Sequence, residues 1–344
     1  MMEGAPQKIA IFRALQLGDM LCTIPAIRAL RRAMPDAEIT LLGLPWAAGF
    51  IRRFDTYLDR FIHFPGYPGL PEQEYDEAAW RFFLEEMQAE AFDLLLQMQG
   101  NGTIVNDLLR QFGAQQLAGF HNKDSRVRSP FFVEYPTDVH EIERHLTLIR
   151  HLGIPDDGTE MEFPLKEEDY KAFAALNLSL RAGRYVCIHP GSREGWRQWP
   201  PSHFALLADH CADRGFDIVI TGTAAEKDIT REVIKCLHHP VIDLTGHTGL
   251  GAMGVLLKDA FLLIANCTGV SHMAAALHTP SLIISMDGEP HRWAPLNKRL
   301  HRTIDWTAHP GVGEVILQLN TLILDRTPLT VGDILQFHTI ISIL

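Results

Sequence analysis

Four short stretches of this sequence carry residue types that can take up a proton or hold an anion. In LGDMLCTIP (17–25), Gly18 relieves a turn and Asp19 sits at or just before a helix start. A carboxylate there caps the helix by accepting its free N–H groups. At an open site the same carboxylate serves as a general base toward a hydroxyl. In HPGSREGWRQWP (189–200), Gly191 and Ser192 offer backbone and hydroxyl donors. Arg193 and Arg197 add two guanidiniums, whose planar fork matches phosphate oxygens; solvated surface arginines are the other reading. In TGTAAEKD (221–228), Glu226 is either an exposed first-turn carboxylate or an acceptor for the two hydroxyls of a ribose. In NCTGVSHMAAALHTP (266–280), Thr268, Gly269 and Val270 present free N–H groups at a helix N-terminus, a ready anion site. His272, about one turn in, either reaches a phosphate or is a half-buried helix residue.

Such loops need rigid elements to hold them, and the periodicity predicts which. A short apolar strand over 8–12 precedes the first loop. A helix over 20–34 follows, with Arg28, Arg31 and Arg32 on its wet side, and then a strand over 38–42. Strand, helix, strand at this spacing is a parallel crossover unit. Strands are expected at 92–97 and 117–120, and helices at 103–112 and 140–152, the last capped by Gly153. Residues 65–80 read as a long loop. After a polar break the alternation restarts, with strands at 185–189, 216–221, 240–244, 260–265 and 281–285. Helices at 201–214, 224–237, 250–258 and 268–277 lie between them. Both halves open as strand, glycine-bearing loop, helix. The expected fold is α/β, with two Rossmann-like domains whose parallel sheets face across a cleft. Ligands bind beyond the carboxyl ends of such strands, where all four loops fall.

Composition narrows the function classes. The 344 residues carry 31 Lys and Arg against 42 Asp and Glu, a formal charge of −11. That acidity disfavours nucleic acid as a partner and gives no general pull toward anionic lipid. Five scattered cysteines without a CxxC pair indicate neither a disulfide framework nor a structural zinc site. The N-terminus lacks a signal-peptide pattern and no apolar run of eighteen occurs, so a cytoplasmic protein is expected. GLGAMG (249–254) begins several residues after its strand and lacks the acidic residue of a dinucleotide site. Neither a P-loop, a metal-ligand cluster nor a DxD pair occurs. Phosphate charge would be met by arginine and helix dipole, with no metal and no cofactor.

The four loops, in this order, resemble those of glycosyltransferase family 9, the ADP-heptose:lipopolysaccharide heptosyltransferases, over nearly the whole chain. The resemblance is carried by ALQLGDMLCTIPAIRALRRAMPDAEITLL (14–42), AFDLLLQMQGNGTIVNDLLRQFGAQQLAGF (91–120), HEIERHLTLIRHLGIP (140–155) and DLTGHTGLGAMGVLLKDAFLLIANCTGVSHMAAALHTP (243–280). WAP (293–295) and LTVGDILQFHTIISIL (329–344) complete it. Two departures show. Cys267 precedes Thr268-Gly269 where the family commonly has Asp, and Gln97 stands where the family's first-domain element has its second Asp.

The resemblance implies a GT-B fold. An acceptor-side domain would span 1–165, a linker 166–184, a nucleotide-sugar domain 185–328 and a last helix 329–344. It implies inverting, metal-independent transfer of a heptose or related sugar from a nucleotide sugar, ADP-heptose by family, to lipopolysaccharide core or another glycan. Asp19, with Gly18 at its turn, would be the catalytic base. Ser192, Arg193, Arg197, Thr268, Gly269, Val270 and His272 would hold the donor phosphates, and Glu226 the ribose. Contact with the inner membrane would be at most peripheral. Two other readings stay open: a binding homologue impaired by Cys267, and a nucleotide-sugar epimerase on the same fold.

Overall fold

The computed structural model describes residues 5–125 and 129–326; the expected helix at 329–344 lies outside them. The chain divides into two compact units, residues up to 171 together with 291–293, and residues 172–290 with those from 294 onward.

In the first unit the elements run β1 Lys8–Phe12, α1 Leu17–Ala33, β2 Glu38–Gly43, α2 Ala47–Arg53, β3 Arg60–His63 and α3 Glu77–Glu90. They continue β4 Leu94–Gln97, α4 Val105–Arg110, β5 Gln116–His121, β6 Phe132–Glu134 and α5 Glu141–His151. Helix α6, Glu167–Ala174, occupies part of the segment expected to be a linker. The second unit carries β7 Tyr185–His189, α7 Pro201–Ala212, β8 Asp217–Ile220, α8 Lys227–Cys236, β9 Val241–Asp243, α9 Leu250–Asp259 and β10 Leu262–Asn266. Then come α10 Gly269–Ala276, β11 Ser281–Ser285, α11 Pro290–Trp293, β12 His301–Asp305 and α12 Val312–Leu324.

Each unit has one six-stranded sheet, ordered β3-β2-β1-β4-β5-β6 in the first and β12-β11-β10-β7-β8-β9 in the second. Every paired strand is parallel. Numbered from its own first strand, each sheet has the same 3-2-1-4-5-6 order, that of a Rossmann fold. The order reverses between β1 and β4 in one unit, and between β7 and β10 in the other. Loops leaving those strand pairs diverge, which opens a crevice at their carboxyl ends. Strands buried on both faces are near-continuous apolar runs, as in Ile9-Ala10-Ile11-Phe12 and Leu262-Leu263-Ile264-Ala265, all fully buried. Each unit has its own apolar core, one around Phe12, Phe64, Phe83 and Phe112 and one around Ile188, Phe204, Ile264 and Leu319.

Several local expectations change. Helix α1 starts at Leu17, so Asp19 is its third residue, and Gly18 lies within its first turn without a positive φ. Gly18 therefore relieves no turn. Arg28 is not on a wet side: it is buried against Asp157 and Glu162. The loop expected at 65–80 ends at Asp76, whose side chain caps α3 through Ala78 N–H at 2.8 Å and Ala79 N–H at 3.0 Å. Trp80, Phe83 and Met87 form the buried face of α3. Gly153 (φ 78°) ends α5 as expected, its N–H donating to Arg150 O at 2.9 Å.

Arg53 and Asp169, both over 90% buried, pair through two N–H···O contacts that tie α2 to the start of α6. The Arg53 side chain holds the Asp169 carboxyl below its usual range against the opposing push of burial. Removing one partner of such a pair leaves an uncompensated buried charge. Asp169→Ala is therefore expected to cost about 3–5 kcal/mol in urea unfolding at pH 7. Because the folded carboxyl is depressed, its contribution is present above the unfolded pKa and fades as pH falls. The variant and the parent should accordingly converge in stability at acid pH.

Candidate active site

In the first unit the loops after β1 and β4 are sewn together at the point where strand order reverses. Ala14 N–H donates to Gln99 Oε1 at 2.7 Å, and the Arg13 guanidinium donates to Met98 O and to Asp19 O. Between these loops lies a cavity of about 350 Å³, lined by Arg13, Asp19, Glu72, residues 99–105, Tyr135, Glu141 and Arg292. Gln97, at the end of β4, donates to Gln99 O and Gly100 O and accepts from Phe120 N–H, so it shapes the β4 loop from beneath.

Asp19 reaches this cavity with its side chain one-quarter exposed, 3.6 Å from the buried Arg13 guanidinium. It also accepts a hydrogen bond from the Gln16 backbone, the residue preceding α1. The capping role is thus real, but it is exercised from the third helical position, as the acidic member of a capping box does. Burial pushes the Asp19 carboxyl above its ordinary value; Arg13 and Arg292 pull it back and the Glu141 charge adds to the rise. A carboxylate made more basic by burial, at the mouth of a crevice, is equipped to accept a proton.

Behind Asp19 lies a buried cluster. The Glu141 carboxylate, 4% exposed, meets Arg13 at 3.2 Å, His145 at 3.3 Å, Arg292 at 3.1 Å and Arg144. Burial opposes its ionisation, yet His145, Arg13 and Arg144 hold it far below the ordinary carboxylate range. Burial and the neighbouring Arg13 charge push His145 down to about 4, against the pull of Glu141, which keeps the imidazole neutral.

In the second unit the reversal point is closed by Asn266, the last residue of β10. Its amide donates to Pro190 O at 2.7 Å and accepts from Trp199 N–H at 3.0 Å. Both ends of the 190–199 loop are thereby fixed beside the start of α10. Ser192 is buried in this loop, and its carbonyl accepts from Gln198 at 3.0 Å. Arg193 points to solvent with 57% exposure, whereas Arg197 is one-third exposed and pairs with Asp287. Thr268 precedes α10 in extended conformation and its side chain makes no capping bond. The first N–H groups of Gly269 and Val270 are thus left without a side-chain cap. His272 is buried at 4% rather than half-buried, inside α10.

Glu226 comes to the same place from β8. Its Oε2 accepts from Thr223 N–H at 2.7 Å and Thr223 Oγ1 at 2.9 Å in a capping box, and lies 3.9 Å from His189 Nε2. Its carboxylate packs so closely on Gly191 that a Cβ there would overlap it. The structure therefore brings Ser192, Arg197, Glu226 and the Thr268–Val270 turn to one set of strand ends, and leaves Arg193 outward. GLGAMG forms the start of α9 behind the edge strand β9, away from the reversal point.

Sequence reasoning missed Arg13, Glu141, Tyr135 and Arg292 in the first unit, and His189, Asn266 and Asp287 in the second. Position was the available signal: Arg13, Asn266 and His189 end or directly follow strands beside the reversal points. Glu141 and Arg292 lie far along the chain from Arg13, and only the fold joins them.

The fold is that of glycosyltransferases built from two Rossmann-like units. A glycosyl transferase family 9 structure from Veillonella parvula superposes with a TM-score of 0.75 at 18% identity, covering 93% of this chain and 97% of that one. The Escherichia coli ADP-heptose LPS heptosyltransferase II gives 0.72 at 20% identity, covering 92% and 99%. Among curated proteins, lipopolysaccharide heptosyltransferase 3 of Escherichia coli K12 is 25% identical over 309 residues, 82% of this chain and 83% of that protein. The model of glycosyltransferase family 9 (heptosyltransferase) matches residues 80–309, and the chain belongs to that family. It is a glycosyltransferase.

The Gly191–Glu226 contact gives a stability test. Gly191→Ala is expected to lower the urea midpoint by an amount equivalent to about 1–3 kcal/mol of overpacking. Adding Glu226→Ala removes the clashing carboxylate and should recover most of that loss. An alanine at 191 that costs nothing would contradict the close approach.

Proposed function

We propose that this chain transfers a heptose from ADP-heptose to a sugar of the lipopolysaccharide core, with inversion and without a divalent ion. The observation that supports the reading is that the same strand-order reversal occurs in each unit with unlike chemistry at its strand ends. One presents a basic carboxylate, Asp19; the other presents donors and a cation, in Ser192, the uncapped start of α10 and Arg197. Family membership supports the reaction class. The donor and acceptor follow those named for its relatives, an ADP-heptose LPS heptosyltransferase and a lipopolysaccharide heptosyltransferase. A lipid-anchored acceptor would bring the enzyme to a membrane surface as a peripheral visitor. Among the described residues no helix is long and apolar enough to cross a membrane.

In this mechanism an acceptor hydroxyl enters the first crevice and Asp19 takes its proton as the oxygen attacks the anomeric carbon. The new C–O bond forms opposite the leaving group, which inverts the centre. The bond from the anomeric carbon to the diphosphate oxygen breaks, and the electron pair leaves with ADP. Arg197 and the N–H groups of Gly269 and Val270 are already oriented to receive that charge. Arg193 points to solvent and His272 is buried inside α10, so this step draws on neither, and Glu226 accepts the ribose hydroxyls. Cys267 contributes no charge, since burial and the neighbouring Asp287 push its thiol up to about 12. The protein's own cations thus supply what a bound divalent ion supplies in other transferases.

Asp19→Asn is expected to lower turnover by about 10²–10⁴-fold while leaving ADP affinity, measured by calorimetry, nearly unchanged. Full activity in that variant would remove Asp19 from the role. The raised Asp19 carboxyl also fixes the sign of the pH dependence. Activity should fall on acidification with a midpoint above the ordinary aspartate value of 3.8, and Glu141→Gln should move that midpoint downward. Turnover of the purified enzyme should survive EDTA; loss of activity restored by a divalent cation would overturn the metal-independent reading.

A further inference from the structure

Arg197, at the strand ends of the second unit, is already opposed by a buried carboxylate. Asp287 lies just beyond β11, beside the end of β10, and its side chain is 6% exposed. One oxygen accepts from the Ser285 hydroxyl at 2.7 Å and from Glu289 N–H at 3.2 Å; the other meets the Arg197 guanidinium. Burial pushes this carboxyl up, but the Ser285 hydroxyl, the Glu289 N–H and Arg197 together hold it below the ordinary aspartate value. It is therefore a fixed negative charge. The Cys267 thiol feels both Asp287 and Arg197, which places it beside the pair.

A site that receives a diphosphate would bind it more tightly without Asp287. The carboxylate does two things instead. It fixes the direction of the Arg197 fork, whose long side chain would otherwise sample many rotamers. It also adds a repulsion that scales with ligand charge. A free nucleoside diphosphate carries one more negative charge than the same diphosphate esterified to a sugar. We propose that Asp287 is a specificity-determining and positioning residue, which orients Arg197 for the diphosphate sugar and weakens retention of the more highly charged diphosphate product. This rests on the nucleotide-sugar reading above and adds a role for a residue that takes no part in the proton transfer.

The test is calorimetry on the full chain with two probes, ADP and ADP-heptose, at one ionic strength. The quantity read is the ratio of their dissociation constants. Asp287→Asn keeps the shape and the Ser285 and Glu289 contacts, and should shift the ratio about tenfold in favour of ADP. Arg197→Gln leaves the carboxylate unopposed and should shift the ratio the other way. A merely structural role for Asp287 would weaken both ligands alike and leave the ratio where it was. An unchanged ratio in Asp287→Asn, or shifts of the same sign in both variants, would overturn the proposal. If Asp287→Asn fails to fold, Arg197→Gln decides: equal weakening of both ligands sinks it. A parent chain that binds neither probe would instead sink the nucleotide-sugar reading, and this proposal with it. Binding of both with an unmoved ratio sinks the proposal alone.

Discussion

Three arginines and a histidine converge on one buried carboxylate, Glu141, at the first residue of α5. Arg13 and Arg144 are almost wholly buried, and burying such cations without an opposing charge costs several kcal/mol each. Glu141 makes their burial tolerable, and through them it sets the crevice. Arg13 continues from Glu141 to Met98 O after β4 and to Asp19 O in α1. Arg144 continues to Pro136 O at 2.9 Å and lies over the Tyr135 ring at 4.5 Å. One carboxylate therefore fixes the β1 loop, the β4 loop, the start of α1 and the 135–136 segment relative to one another.

The two units share a strand order but not an electrostatic plan. In the first, acidic groups at the reversal point are buried deeply enough that Asp19 gains basicity. In the second, an amide, Asn266, performs the stitching that Arg13 performs in the first, so the loop is closed without adding a charge. That leaves the uncapped start of α10, the Arg197–Asp287 pair and Glu226 as the polar features at those strand ends. On the function proposed above, the same scaffold holds a proton acceptor in one copy and an anion cradle in the other.

Much of the architecture was legible because buried parallel strands write themselves as unbroken apolar runs, as at 8–12, 185–189 and 281–285. The glycine-bearing loops behind them were legible for the same reason. The elements that escaped are those whose pattern is weak. β3, Arg60–His63, mixes charged and apolar residues at a sheet edge, and β6 has only three residues. α3 carried its signal in Asp76 and the Trp80, Phe83, Met87 spacing, but three prolines and two glycines upstream hid it. At the site, single loops could be read residue by residue. Partnerships such as Arg13 with Glu141, or Arg197 with Asp287, join positions 128 and 90 residues apart and need the fold to be seen.

Three of the four sheet margins among the described residues are brief, which has a consequence of its own. β6 and β9 expose only three residues of unpaired ladder, and β3 only four. A neighbouring molecule seeking to extend a sheet at β3, β6 or β9 finds few backbone donors and acceptors to grip, and on β3 it also meets Arg60 and His63; the β12 margin, His301–Asp305, is as long as a central strand. Blunted margins of this kind guard against cross-strand aggregation. Among the described residues the first sheet is blunted at both margins and the second at one.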